Sequence, residues 1–157
     1  MNNDLPQVEI YTDGSCLNNP GPGGYGVVIL SNNDRQELSG GFRKTTNNRM
    51  EILAVIMGLK ALKKPHQVTI YTDSQYVVNA MTKGWAKKWQ MNNWKRNAQE
   101  KAKNPDLWQE LLELSREHRL NFTWVRGHSG NKENERCDRL AFNAASSNNL
   151  KEDVNYK

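Results

Sequence analysis

One tetrapeptide, Ile-Tyr-Thr-Asp, occurs twice in this chain, and the repeat constrains the fold more than any other feature of the sequence. The first copy ends at Asp13 and the second at Asp73, and each closes a β-type run. Gly14 and the glycines and prolines of residues 20–24 predict that the first strand ends at Asp13. If the two strands lie side by side and parallel, the two carboxylates emerge at one sheet edge, about 5 Å apart.

Either aspartate alone is more simply read as a turn residue, because Asp commonly caps the turn that follows a strand. The repeat favours a shared site instead. Two like charges at that separation need a cation between them.

The remaining periodicity predicts an α/β chain in which strands one to three form an antiparallel meander and strand four lies parallel to strand one. Expected strands after the first cover residues 25–30, 36–42, 68–73 and 121–125. Expected helices cover residues 50–64, 74–81, 105–118 and 132–146, and residues 147–157 are expected to be a loose tail.

Size and composition predict one soluble domain over residues 1–157, with a core over about 7–146. No apolar run approaches the roughly 20 residues of a membrane helix, and no signal peptide is visible at the start. Cys16 and Cys137 are the only cysteines, and their separation fits two reduced thiols and not a zinc site. We therefore expect a cytoplasmic protein with no membrane association, no obligate protein partner and a monomeric state.

The net charge of +5 is concentrated in one segment. Residues 83–103 contain seven lysines and arginines and one glutamate, which gives +6 there and leaves −1 for the remaining chain. Three tryptophans, Trp85, Trp89 and Trp94, are interleaved with these cations. A charge run is commonly a solvated helix face, but the interleaved tryptophans favour a nucleic-acid surface.

Two further acids belong with the aspartates of the repeat. Glu51 is followed by eight uncharged residues at the start of an apolar helix, where it could close a capping box with Asn48 or complement the helix dipole. Asp138 borders the apolar stripe of the last helix. Four carboxylates from four elements would select a hard divalent cation such as Mg²⁺. Beside a basic surface, they predict a metal-dependent nuclease.

Six segments closely resemble bacterial ribonuclease H of type 1 in order and spacing, over about residues 7–146. They are TDGSCLNNPGPGGYG, TTNNRME, TDSQYV, the basic tryptophan segment, WVRGHSG and NERCDRLA. The resemblance implies a ribonuclease H-like fold, a five-stranded mixed sheet (antiparallel strands 1–3, parallel strands 4–5) with helices on both faces. It also implies a Mg²⁺-dependent endonuclease that hydrolyses the RNA strand of RNA/DNA hybrids and leaves 5′-phosphate and 3′-hydroxyl ends.

The resemblance assigns roles residue by residue. It implies that Asp13, Glu51, Asp73 and Asp138 hold metal, two Mg²⁺ ions with substrate bound and Mn²⁺ as a possible substitute, and that His128 assists proton movement or product release. The implied substrate contacts are Asn19, Asn47 and Gln75 in the minor groove, Cys16 near the RNA backbone, Thr46 and Asn48 at a DNA phosphate, and Trp85, Lys87, Lys88, Trp89, Trp94, Lys95 and Arg96 in a segment at about 84–103 that resembles the family's basic protrusion. Backbone groups near Gly14 and Cys16 are expected to sense the 2′-hydroxyl that distinguishes RNA from DNA.

Two other interpretations remain. A noncatalytic module that binds hybrids or duplexes would use the same basic surface but would have no need of four convergent acids, which repel phosphate. An integrase-like nuclease acting on DNA alone is the second, and the TTNN segment with the basic protrusion argues against it.

Overall fold

The computed structural model describes residues 5–97, 100–127 and 129–156. Its strands are β1 (Gln7–Cys16), β2 (Gly21–Ser31), β3 (Asp34–Thr45), β4 (Gln67–Thr72) and β5 (Arg119–Trp124). Its helices are α1 (Asn47–Lys60), α2 (Gln75–Thr82), α3 (Trp85–Met91), α4 (Pro105–Ser115) and α5 (Lys132–Ala145). Within this described part, no helix combines the length and the apolar content needed to cross a bilayer.

The five strands form one mixed sheet in the order β3-β2-β1-β4-β5. β1 and β2, and β2 and β3, pair antiparallel, whereas β4 is parallel to both β1 and β5. The sheet topology expected from the sequence is therefore confirmed. The two tetrapeptides are also in register, because Thr12 pairs with Thr72. This register places Asp13 and Asp73 at matching positions.

The predicted end of the first strand at Asp13 is wrong. β1 continues to Cys16, which pairs with Gly23 of β2. The glycines form strand and not turn because they leave room for a helix on the sheet: a Cβ at Gly24 would lie 2.5 Å from the carbonyl oxygen of Ala141 in α5. On its other side, β1 stops pairing with β4 after Thr12. Asp13 thus lies within the ladder between β1 and β2 and directly after the end of the ladder between β1 and β4.

Helix boundaries also differ from those expected. α1 ends at Lys60 and not at residue 64. The predicted end was too late because Leu62, in the turn after the helix, still packs against the core and continues the apolar pattern of the sequence. The basic segment contains a short helix, α3, which the sequence did not predict. Gly84 precedes it with φ 77°, a left-handed conformation that glycine adopts without strain.

Alternate residues of the central strands face two different layers. Ile10 and Val27 lie against Gly58 of α1 on one face. On the other face, the Cys137 thiol of α5 donates to the carbonyl oxygen of Tyr11 at 3.2 Å. The main hydrophobic core lies on the α1 side, where residues of α2 and α4 join it. Helices therefore cover both faces, as predicted.

The C-terminal tail is not loose, contrary to expectation. The backbone N–H of Arg43 donates to the carbonyl of Lys151 at 2.7 Å, at the free edge of β3. Further on, Asp153 accepts hydrogen bonds from Thr45 and Arg49. The tail is attached by ion pairs and backbone hydrogen bonds. It therefore needs no amphipathic face, and its sequence shows no periodic apolar pattern. The single-domain organisation stays a prediction.

Candidate active site

Three carboxylates from three elements converge at one edge of the sheet. Asp13 lies in β1, Glu51 in the second turn of α1, and Asp73 directly after β4. Each residue offers a carboxylate oxygen, and these oxygens lie within 4.8 Å of one another. The convergence expected from the repeat is present, and Glu51 joins it from the helix that packs on the same strand.

The site is buried and its charges repel one another. Asp13 is 4% exposed and Glu51 is 5% exposed. Burial, followed by the charges of Asp73 and Asp138, raises the pKa of Asp13 to about 8. Burial, followed by the charges of Asp13 and Asp73, raises the pKa of Glu51 well above its usual range. Without a cation, burial and mutual repulsion therefore favour the protonated form of Asp13 at neutral pH.

Gly14 lets the helix approach the strand closely enough to form this group. A Cβ at Gly14 would lie 2.5 Å from the backbone nitrogen of Glu51. The N–H of Gly14 donates to Asp13 Oδ1 at 2.9 Å. The helix itself is capped by Thr46, whose hydroxyl accepts from the Arg49 N–H. Capping by Asn48 and Glu51 therefore does not explain why an acid is buried at this position.

Asp73 is held by Trp124 and Gly127, two residues of the WVRGHSG segment for which the sequence indicated no individual role. The indole N–H of Trp124 donates to the backbone carbonyl of Asp73 at 3.0 Å. A Cβ at Gly127 would lie 2.8 Å from Asp73 Oδ2, so only glycine leaves this carboxylate in place. The WVRG segment was visible in the sequence, but nothing in it indicated contact with a strand fifty residues earlier.

The fourth acid, Asp138, lies on α5 and is partly buried. Its charge contributes to the raised pKa of Asp13, so it faces the same site. It stands outside the group of three whose oxygens lie within 4.8 Å. The loop histidine, His128, lies outside the described residues.

The donor set fits a hard divalent cation. All ligand atoms are carboxylate oxygens, which Mg²⁺ and Mn²⁺ prefer over softer metals. Among the described residues, Glu51 Oε1 is buried without a hydrogen-bond partner. A bound cation would satisfy this oxygen and offset the repulsion within the group.

The polar residues expected to contact substrate lie around this edge. The side-chain oxygen of Asn19 accepts from the Asn47 N–H at 3.0 Å, which ties the loop after β1 to the start of α1. Asn48 and Gln75 are exposed. The Cys16 thiol contacts the Asn18 carbonyl oxygen at 2.7 Å and is only partly buried.

The three tryptophans of the basic protrusion differ in their surroundings. Trp85 is 39% exposed. Trp89 packs on the core residue Trp108 with ring centroids 6.2 Å apart, and Trp94 is partly buried against the core. Trp89 and Trp94 therefore anchor the segment. The cations Lys87, Lys88, Lys95 and Arg96 are exposed.

A cavity of about 540 Å³ lies between the protrusion and the start of α1. Its lining includes Asn48, Trp85, Lys88 and Arg96. The basic surface thus extends from α3 to the helix that carries Glu51.

The chain matches known proteins over nearly its whole length. The family model of RNase H matches residues 6–146. A ribonuclease H from Syntrophus aciditrophicus (strain SB) is 65% identical over 96% of this chain and 87% of its own length. A ribonuclease H from Trichodesmium erythraeum (strain IMS101) is 58% identical over the whole of both chains.

Two solved structures with a fold similar to that of this chain are also named RNase H1. LC9-RNase H1, described as a type 1 RNase H with the type 2 active-site motif, has a TM-score of 0.83 and 34% identity, over 93% of this chain and 75% of that one. LC11-RNase H1 in complex with an RNA/DNA hybrid has a TM-score of 0.68 and 26% identity, over 88% and 96% of the two chains. The fold, the acidic group and these matches together show that the chain belongs to the RNase H family.

Proposed function

We propose that this protein is an endonuclease that hydrolyses the RNA strand of RNA/DNA hybrids and leaves 5′-phosphate and 3′-hydroxyl ends. The observation that carries the proposal is the group of Asp13, Glu51 and the partly buried Asp73, whose oxygens lie within 4.8 Å of one another. Membership of the RNase H family and relatives named ribonuclease H support the substrate class.

The acids hold the metal in this proposal. Asp13, Glu51 and Asp73 are the central ligands, and Asp138 completes the set from α5. The chemistry that two Mg²⁺ ions supply when bound is activation of a water and stabilisation of the leaving 3′-oxygen. The chain's part is to hold the carboxylates close together and aligned, with Trp124 and Gly127 fixing Asp73. His128 would take up or deliver a proton near the scissile phosphate.

The surface around the acids binds the hybrid in this proposal. The polar side chains of Asn19, Asn47 and Gln75 would read the minor groove, and backbone groups near Gly14 and Cys16 would sense the 2′-hydroxyl. Thr46 and Asn48 would contact a DNA phosphate. The basic protrusion would contact the backbone further along. We also propose that the chain acts as a monomer without an obligate protein partner.

The test is cleavage of one end-labelled sequence presented as RNA/DNA hybrid, RNA duplex and DNA duplex, with Mg²⁺, Mn²⁺ or EDTA. We expect metal-dependent cutting of the RNA strand of the hybrid alone. Asp13→Asn and Asp73→Asn should abolish cutting while leaving hybrid binding intact, because each change weakens metal binding and lowers repulsion toward phosphate.

Two results would contradict the proposal. Equal cutting of the DNA duplex would favour a DNA nuclease. Tight binding of the hybrid without cutting in either metal would mean that the chain is a binding module.

A wild-type cleavage rate for His128→Ala across pH 6 to 9 would remove the proton-handling role from that residue.

A further inference from the structure

The C-terminal tail ends beside the start of α1, and Arg49 joins the two. Arg49 is 3% exposed. Its Nε and Nη2 donate to the two carboxylate oxygens of Asp153, at 2.8 and 3.1 Å. Thr45, directly before α1, donates its hydroxyl to Asp153 Oδ2 at 2.6 Å. Asp153 is therefore attached to both sides of Thr46.

The same guanidinium also binds α4. Its Nη1 and Nη2 donate to the carboxylate of Asp106 at 2.9 and 2.6 Å. Arg49 thus pairs with two acids at once, a bidentate arrangement that fixes its plane. The Tyr156 ring lies over it, with 6.0 Å between the ring centroid and Arg49 Cζ.

This attachment creates a cavity of about 880 Å³ between the tail and the start of α1. Tyr156 lines one side, Thr46 and Asn48 line another, and Lys101 and Lys103 line a third. Asn48, Lys101 and Lys103 also line the cavity beneath the basic protrusion, so the two cavities are adjacent and share part of their walls.

Charge and position suit this cavity to a phosphate backbone. Lys101, Lys103 and Arg49 supply three positive charges against the two of Asp106 and Asp153, which leaves the cavity positive. Thr46 lies five residues before Glu51, a rise of roughly 7.5 Å along a helix, which is about twice the 3.4 Å rise per nucleotide of one strand. A hybrid whose RNA strand has its scissile phosphate at the acidic group would therefore bring backbone phosphates within reach of the cavity, where Thr46 and Asn48 are proposed to contact the DNA strand.

We propose that two C-terminal residues belong to the nucleic-acid site: Asp153 positions Thr46 and Asn48 through Arg49 and Thr45, and Tyr156 forms a wall that contacts the backbone of the bound hybrid. This inference rests on the proposed function for the identity of the ligand. It assigns Asp153 as a positioning residue and Tyr156 as a binding residue.

Binding of a fluorescein-labelled RNA/DNA hybrid in EDTA tests the proposal, with cleavage in Mg²⁺ measured in parallel. We expect Asp153→Asn to raise the Kd about fivefold and Tyr156→Ala about tenfold, the scale on which lost aromatic and polar nucleic-acid contacts act. In both variants kcat at saturating hybrid should stay within about twofold of wild type, since the acids are untouched.

Glu152→Gln is the matched control, because Glu152 is an exposed acid next to Asp153. Through-space electrostatics alone predicts that removal of either acid tightens binding of a polyanion. The positioning role predicts opposite signs, weaker binding for Asp153→Asn and equal or tighter binding for Glu152→Gln. Asp153→Glu keeps the charge and should recover part of the lost affinity.

Melting temperatures recorded alongside separate binding from unfolding. If Asp153→Asn does not fold, Tyr156→Ala decides, because this partly exposed residue lies near the terminus. Unchanged Kd for a folded variant, or a loss confined to kcat, overturns the inference. If the wild type itself does not bind hybrid, the proposed function fails instead, so the two failures are distinguishable.

Discussion

Asp13 and Glu51 lower the folding stability of the metal-free protein, because their carboxyl groups are buried close to each other. A buried acid near like charges keeps its proton to higher pH, and the pKa of Asp13 rises to about 8 for this reason. A cation site of this kind lowers the stability of the metal-free fold. The acids are therefore explained by ligand binding and not by folding.

Asp13→Asn should stabilise the metal-free protein. The folded chain holds a proton on Asp13 that the unfolded chain releases above its ordinary pKa of 3.8, so stability in EDTA falls as pH rises from about 4 to 8. Removing this acid should raise the free energy of unfolding by up to about 5 kcal/mol at pH 8 and by little at pH 4. Urea denaturation at both pH values measures the difference. An equal gain at both would contradict the assigned cause.

Gly127→Ala should lower activity more than stability. The new methyl group would meet the Asp73 carboxylate. This side-chain end can move aside with little loss of folding stability, but the movement would displace the carboxylate from its position as a metal ligand. We expect kcat to fall about a hundredfold, the scale of a displacement near 1 Å in a catalytic group. Thermal melting and steady-state kinetics report the two effects separately.

Gly24→Ala is the opposing control for this substitution. There the methyl group would meet backbone atoms of α5, which cannot move without shifting the helix, so the fold should lose about 2 kcal/mol. If Gly127→Ala destabilises the fold as much as Gly24→Ala, its effect is structural.

At the level of elements, α1 and α3 each join the core to the proposed substrate surface. α1 is apolar around most of its circumference, yet its first turns carry Thr46, Asn48 and Glu51. α3 is only seven residues long and contacts the core through the buried Ala86 and the partly buried Trp89. The partly buried Trp89 and Trp94 hold the protrusion, and the neighbouring exposed Lys87, Lys88 and Lys95 are placed to face a polyanion.

Neutralising four protrusion cations should flatten the salt dependence of hybrid binding. With Lys87, Lys88, Lys95 and Arg96 replaced by glutamine, the slope of log K against log salt should decrease by up to about 3.6, or about 0.9 for each lost phosphate contact. Because these side chains are exposed, the fold should be retained. Titration at several salt concentrations gives the slope.

Lys63→Gln with Lys64→Gln is the control for this variant. Both lysines are exposed and line a cavity near Val8, at the opposite end of β1 from Asp13. An unchanged slope in the fourfold variant, or an equal decrease in the control, would exclude the protrusion as the binding surface.

At the scale of the whole molecule, Arg49 connects α1, α4 and the C-terminal tail. It is buried and pairs with Asp106 and Asp153, whereas Lys60 and Glu110 form a pair between the same two helices at the surface. Breaking a buried ion pair leaves an uncompensated charge in the interior and is costly, whereas water and salt screen an exposed pair, so its loss costs little.

Arg49→Leu should therefore destabilise the fold by about 3 kcal/mol, since two acids lose a common buried partner. Lys60→Ala should cost less than about 1 kcal/mol, because that pair is exposed. Chemical denaturation of both variants gives the comparison. A similar small cost for both would mean that the tail contributes little to the fold.

The sequence alone determined the sheet and the pairing of its first two acids. Alternating polarity marks strands locally, and identical tetrapeptides that pair in register bring Asp13 and Asp73 to one edge. These features depend on short-range periodicity and on backbone hydrogen bonding, which are legible in a single chain.

Only the tertiary structure decided which distant residues meet. The burial of Glu51 depends on how closely α1 approaches Gly14, and the anchoring role of Trp89 depends on Trp108 in another helix. Asp153 gave no signal in a polar tail because its partner Arg49 lies about a hundred residues earlier. Such contacts follow from packing of complete elements, and no local pattern encodes them.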